Sequence, residues 1–199
     1  LEFRRVLFRS YGHGLGMEHV ESSTDRYLME PFVSTAFDGP QHHDILIAHR
    51  GYGDVNEKSN SQQGNDTAAL ATGLGLIADG TTVSRGQDAT KETVADSDTD
   101  FYSIDDETDT DFWSFEIASA SLVDINLEAL GYVYNIDEQN GGGGGDFDTR
   151  ARSNLDLALF DTDGTTLLGS SNVTGFGGNE QLTGVQLENA RRDRTWRAE

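Results

Sequence analysis

A chain of 199 residues with 35 acidic and 14 basic side chains, a formal net charge of −21 and no cysteine is closed to several functions before any motif is read. Its field repels the phosphates of nucleic acids and of anionic membranes; without thiols there are no disulfides, and any metal must be held by imidazole and carboxylate. With 35% hydrophobic and 25% charged residues, and no apolar run near the length that spans a bilayer, the chain reads as soluble, without membrane insertion and with room for one or two domains.

Residues 1–10, Leu-Glu-Phe-Arg-Arg-Val-Leu-Phe-Arg-Ser, resemble the peptide translated from a sequencing-adapter oligonucleotide and are expected to be a non-native segment. The next stretch, Tyr11-Gly-His-Gly-Leu-Gly-Met-Glu-His19, sets His13 and His19 on either side of Gly16. This spacing fits the last three fixed positions of the zinc pattern H-E-x-x-H-x-x-G-x-x-H. There a helix presents two histidines at i and i+4, a left-handed glycine ends the helix, and the returning chain delivers a third histidine. The first two positions fall on Arg9 and Ser10. A guanidinium has no lone pair to give a metal and a serine hydroxyl is far too weak a base at neutral pH, so neither replaces the histidine and glutamate of the pattern. An H-x-x-G-x-x-H spacing by itself also arises by chance.

Further along come Leu28-Met29-Glu30-Pro31 and Gln41-His-His-Asp-Ile-Leu-Ile-Ala-His-Arg-Gly-Tyr-Gly53. Together with the histidine pair these resemble the C-terminal end of a matrixin-type metzincin catalytic domain, over residues 11–53. The family has a methionine turn of the form L-M-x-P and a closing helix to which Asp44, Ile45, Arg50, Tyr52 and Gly53 correspond, while His43 and His49 depart from it. The resemblance implies that His13 and His19 are zinc ligands and Gly16 ends the ligand helix. It implies too that Met29 forms the turn under the site and Pro31 begins the wall of the pocket for the residue after the cleaved bond. His42, His43 and His49 are read as surface or packing residues. In that family zinc on three imidazoles activates water toward a peptide carbonyl, and the glutamate takes its proton. With Ser10 at the glutamate position no catalytic residue is present. The parent is expected to be a secreted, extracellular zinc metalloendopeptidase acting on proteins or peptides. The polypeptide as written is expected to be inactive, lacking the base, the first ligand and the sheet and helix upstream.

The charge divides the chain. Residues 1–53 carry 7 acids and 5 bases, residues 54–190 carry 26 and 5, and residues 191–199 carry 2 and 4. Residues 54–65 have almost nothing to bury and are expected to be a linker. From residue 66 onward, Asp111–Ile117, Leu122–Leu130 and Asn154–Phe160 alternate polar and apolar, and Asp161-Thr-Asp-Gly164 supplies a tight turn before Thr165–Leu168. This predicts an antiparallel β-sandwich, and a mainly β chain overall. Ser103–Phe115, Leu155–Leu168 and Gly177–Leu182 resemble the bacterial pre-peptidase C-terminal domain, a jelly-roll-like sandwich, over residues 66–190. The family's final aromatic strand has no counterpart in the basic residues 191–199, so this atypical tail leaves the sandwich expected to lack its last strand. Gly141–Gly145 read as an exposed loop. Asn65 and Asp66 resemble the start of the domain in calcium-binding relatives, and Asp105, Asp106, Asp109 and Asp111 are further calcium candidates; a solvated acidic loop explains the same residues. Against the peptidase reading stands a non-catalytic extracellular module docking to a matrix protein or polysaccharide, with a vestigial metzincin end. A purely structural acidic surface protein is a third alternative.

Overall fold

The structure, a computed structural model, describes residues 2–21, 26–106, 108–136, 145–172, 175–188 and 194–198. It is mainly β: the strands are β1 (Thr72–Ile77), β2 (Asp111–Ile117), β3 (Ser121–Leu127), β4 (Val133–Ile136), β5 (Gly145–Asp148), β6 (Leu157–Phe160), β7 (Leu167–Ser171), β8 (Glu180–Leu187) and β9 (Arg194–Ala198). The two longer helices are α1 (Glu2–Gly14) and α2 (His42–Tyr52). Among the described residues no helix is long and apolar enough to cross a membrane. The chain forms two compact units: unit 1 comprises Leu1–Tyr52, Gly86–Ser103 and Leu130–Arg150, and unit 2 comprises Gly53–Arg85, Ile104–Ala129 and Ala151–Glu199.

In unit 1, α1 ends as the glycine pattern predicts. Gly16 adopts φ +83°, the Gly16 N–H donates to the His13 carbonyl and the Met17 N–H to the Gly12 carbonyl, both at 3.0 Å. These are the two crossed bonds that satisfy the last carbonyls of a helix closed by a left-handed glycine. The helix runs unbroken through residue 10, and Arg5, from the stretch set aside as non-native, is buried with its guanidinium donating to the carbonyls of Ser34, at 2.8 Å, and Phe37. Helix α2 starts at an acid cap: Asp44 Oδ2 accepts the Gln41 N–H at 2.8 Å. A small core of Met17, Val20, Tyr27 and Met29 lies among Leu15, Ile47, Ala48, Tyr132 and Phe147.

Unit 2 has a five-stranded sheet in the order β1-β2-β9-β6-β7 and a β3–β8 pair. Phe115 and Ile117 of β2, Leu157 and Leu159 of β6, and Leu182 and Leu187 of β8 make one buried cluster, flanked by Val123, Ile125 and Leu127 of β3. A core drawn from both sheets is what alternating strands buried on one face produce. The predicted turn is in place: Asp163 Oδ1 accepts the N–H groups of Thr165 (2.9 Å) and Thr166 (2.8 Å), Gly164 takes φ +67°, and β6 pairs antiparallel with β7.

Three features depart from expectation. The β1–β2 pair is parallel, as the long connection between these strands permits. Residues 194–198 are no loose tail: β9 pairs antiparallel with β2 on one side and β6 on the other, because a ladder is made by backbone groups and does not require the family's aromatic sequence. Residues 54–65, read as a linker, contain buried Asp54, Asn56 and Asn65. Their low hydrophobicity reflects a polar cluster packed inside unit 2. The glycines 141–144 of the predicted loop lie outside the described residues.

Candidate metal centre

Two groups of side chains have metal-ligand chemistry, one in each unit. In unit 1, α1 and the turn after Gly16 bring His13 Nε2 to 2.9 Å from His19 Nε2. His13 Nδ1 lies 2.9 Å from the Met17 carbonyl. With the proton on Nδ1 donated there, the Nε2 lone pair faces His19, the arrangement that prepares an imidazole for a metal. Arg9, one helical turn before His13, reaches the same point, with Nη2 2.6 Å from His19 Nε2. Burial first, then the Arg9 charge and then His13, lower the His19 pKa, so His19 stays a neutral acceptor for the guanidinium. Ser10 turns away, its hydroxyl donating to the Val6 carbonyl at 2.8 Å.

The donor set does not fit zinc as it stands. Two ring nitrogens on one tetrahedral zinc sit roughly 3.3 Å apart, near the spacing seen, but a third and usually a fourth ligand are needed. The position where the third would stand holds a cation without a lone pair.

Beneath the pair, Met29 is fully buried. A Cβ on Gly12 would lie 2.5 Å from its Sδ, so glycine at 12 is what lets the thioether under α1. Asp44 holds the bend from below: its carboxylate accepts the N–H groups of Leu28 (2.9 Å) and Met29 (3.1 Å) as well as Gln41. The Val20 N–H donates to the Met29 carbonyl at 3.1 Å, and the Tyr52 hydroxyl donates to the Leu15 carbonyl at 2.8 Å. Pro31, half-buried, leads into exposed Phe32 and Val33. Thus His13, His19, Gly16 and Met29 are brought together in one unit. His42 and His43 are buried packing residues: burial lowers the His43 pKa to about 4, leaving it neutral.

In unit 2, the carboxylates of Asp54, Glu57 and Asp111 offer oxygens that all lie within 4.8 Å of one another. This triad could hold a metal ion. Asp54 and Asp111 are buried and Glu57 half-buried. Burial drives both up: Glu57 to about 7, helped by its side-chain hydrogen bond with Asp54 and then by the Asp54 charge, and Asp111 to about 8, helped by the charges of Asp54, Asp109 and Glu57. Asn65, fully buried, hydrogen-bonds Asp111 and donates from Nδ2 to the Phe112 carbonyl at 3.1 Å. Among the described residues, Asp111 Oδ1, Glu57 Oε1 and Asn65 Oδ1 have no hydrogen-bond partner. Buried oxygens without donors are what a cation site looks like before its cation is counted. Asp66 is exposed and outside the triad. Asp106 and Asp109 are used in a turn: Asp109 Oδ2 accepts the Asp105 N–H at 2.7 Å and Asp106 Oδ1 the Thr108 N–H at 2.6 Å. The sequence reading missed Asp54 and Glu57. The signal was there in an Asp-x-x-Glu pair following Gly53, hidden by the polar composition around it.

A scan against protein-family models, a search of curated proteins and a search of solved structures each found no match for the chain.

Proposed function

We propose that the chain is part of a secreted zinc metalloendopeptidase of the metzincin type, and that in its present form it has no peptidase activity. The observation that carries the reading is the convergence of the two Nε2 atoms, 2.9 Å apart, beside a helix whose Gly12 lies against the fully buried Met29. The bend that holds Met29 is tied to the following helix by Asp44, which supports the reading. Zinc bound by three imidazoles would supply Lewis-acid polarisation of a peptide carbonyl and activation of water. Of the residues present, His13 and His19 would be two ligands, the Met17 carbonyl would orient His13, and Phe32 and Val33 lie beyond Pro31, where a protein or peptide substrate's side chain would pack.

The variant Arg9→His/Ser10→Glu tests this directly. It should bind one Zn²⁺ or Co²⁺ per chain at least 100-fold more tightly than the unaltered chain, with the visible absorption of tetrahedral cobalt. A variant that gained no metal would remove the basis of the reading. The unaltered chain should leave casein uncut, and chelator-sensitive cleavage would overturn its inactivity.

The second reading, an extracellular module without catalysis, draws its support from the acidic triad. Its chemistry, oxygen ligands only, with three carboxylates whose oxygens lie within 4.8 Å of one another, suits calcium, with Asp54, Glu57 and Asp111 as the charged ligands. Such a module would present an acidic surface to a matrix protein or polysaccharide. Calcium calorimetry showing one site in the chain, lost in Asp111→Asn, is the expected outcome; heat without stoichiometry would remove this reading.

A further inference from the structure

Unit 1 is assembled from three stretches of chain, and the last of them, residues 130–150, does more than connect. Strands β4 and β5 form a hairpin whose open end is tied by Thr149. Its Oγ1 accepts the Tyr132 N–H at 2.8 Å and donates to the Tyr132 carbonyl at 3.1 Å. Gly131 allows this, since a Cβ there would stand 2.1 Å from Thr149 Oγ1. The hairpin so fixed packs Tyr132 and Phe147 against the Met17, Val20, Tyr27 and Met29 cluster. The Tyr132 ring stacks on His42, with centroids 5.6 Å apart and planes within 6°; Phe147 meets His43 edge-on at 6.4 Å, and His43 faces Tyr27 at 5.8 Å. Among the described residues, Tyr132 and Phe147 are the aromatics of this core that come from outside the first 52 residues.

We propose that the β4–β5 hairpin is a clamp for the Met29 bend. Tyr132 and Phe147 are positioning residues that hold Met29, and through its contact with Gly12 they hold the helix carrying His13. Asp44 fixes the backbone of the bend, but four buried apolar residues are too few to seal its side chain on their own, and a thioether packs well among aromatic rings. The clamp concerns unit 1 alone and holds whether or not the histidine pair binds zinc.

Methionine oxidation in the full chain tests it, because a sulfur sealed from solvent resists peroxide and an opened one does not. In the unaltered chain Met29 should be refractory to hydrogen peroxide, read by peptide mass spectrometry. Tyr132→Ala/Phe147→Ala should oxidise at Met29 at least 10-fold faster while the tryptophan fluorescence, which comes from Trp113 and Trp196 of unit 2, is unchanged. Tyr132→Phe, which keeps the ring, should restore resistance in the presence of native Phe147. The imidazole proton resonances of His42 and His43, displaced by the neighbouring rings, should return toward free-histidine values in the double alanine variant. If that variant loses the tryptophan signal as well, Phe147→Leu serves, with Met29 expected to oxidise 2- to 5-fold faster and unit 2 intact. Met29 oxidation unchanged in Phe147→Leu, or already fast in the unaltered chain, would overturn the proposal.

Discussion

Unit 2 is held by many interchangeable contacts and unit 1 by a few that have no substitute. In unit 2, ladders of backbone bonds carry β2, β9 and β6 side by side over a leucine-rich core, and even a basic stretch such as Arg194–Ala198 can serve as a strand. In unit 1, single side chains stand in for a sheet. Asp44 gathers three N–H groups, and Gln41 bonds Val94 in both directions, accepting its N–H and donating to its carbonyl at 2.9 Å each. A unit built in this way places a loop with high precision but concentrates its stability in a handful of residues.

Asp44→Ala should show that concentration most sharply. It leaves the N–H groups of Leu28, Met29 and Gln41 without an acceptor in a buried site. Each unsatisfied buried donor costs about 1 to 3 kcal/mol before relaxation, so a loss of roughly 3 to 5 kcal/mol is expected for unit 1. Native-state hydrogen exchange would register it at the Leu28 and Met29 amides, with the β6 amides unaffected. A cost below about 1 kcal/mol would mean the bend is held by packing and that the contrast between the units is wrong.

The acidic triad is where unit 2 gives up its redundancy. Glu57 and Asp111 have folded-state pKa values raised above those of the unfolded chain, to about 7 and about 8. Between the unfolded values near 4 and these raised ones, the folded protein holds more protons. Its stability without a cation therefore falls as pH rises through that window, by at most about 1.4 kcal/mol per pH unit for buried Asp111 and by less for half-buried Glu57, whose charge solvent screens, and the loss is complete above about pH 8. A bound divalent cation keeps the carboxylates ionised and should flatten the curve. Melting temperatures from pH 5 to 9, in chelator and in calcium, read both effects; Asp111→Asn should flatten the chelator curve too. A chelator curve that rises toward pH 8 would show that these carboxylates are already compensated.

These differences also decide what could be read without a structure. The period-two alternation of Asp111–Ile117 and the Asp-Thr-Asp-Gly turn each encode a local conformation, and both stand where the sequence puts them. Gly16 likewise announces a helix end by its need for positive φ. The cation triad joins residues 54 and 57 to residue 111, and the hairpin residues Tyr132 and Phe147 join the first 52 residues, through contacts that follow no period. Polarity misled as well. A run such as Asp54–Asn65 looks solvated by composition, yet its buried members bond one another, as when Asp54 Oδ1 accepts the Asn56 N–H at 2.6 Å. The strand at 194–198 was illegible for the opposite reason, since its pairing is supplied by neighbours and not by its own pattern.

The smallest effect offers the finest test of how tightly unit 1 is fitted, because two glycines on α1 should respond with opposite signs. In a helix interior, glycine to alanine gains about 0.5 to 1 kcal/mol by restricting the unfolded chain. Gly14 has nothing within 4 Å of the position its Cβ would take, so Gly14→Ala should realise most of that gain. At Gly12 the new methyl would meet Met29 Sδ at 2.5 Å and Met17 Sδ at 3.5 Å. Overpacking costs about 1 to 3 kcal/mol, and the lower end applies where a flexible thioether can shift. The two effects partly cancel, leaving Gly12→Ala destabilised by at most about 0.5 kcal/mol, while Gly14→Ala is stabilised by about 0.5 to 1 kcal/mol. Thermal unfolding of the two variants side by side measures the difference free of shared errors. If both substitutions stabilise, Met29 does not press on Gly12, and the histidine helix is held by its own capping alone.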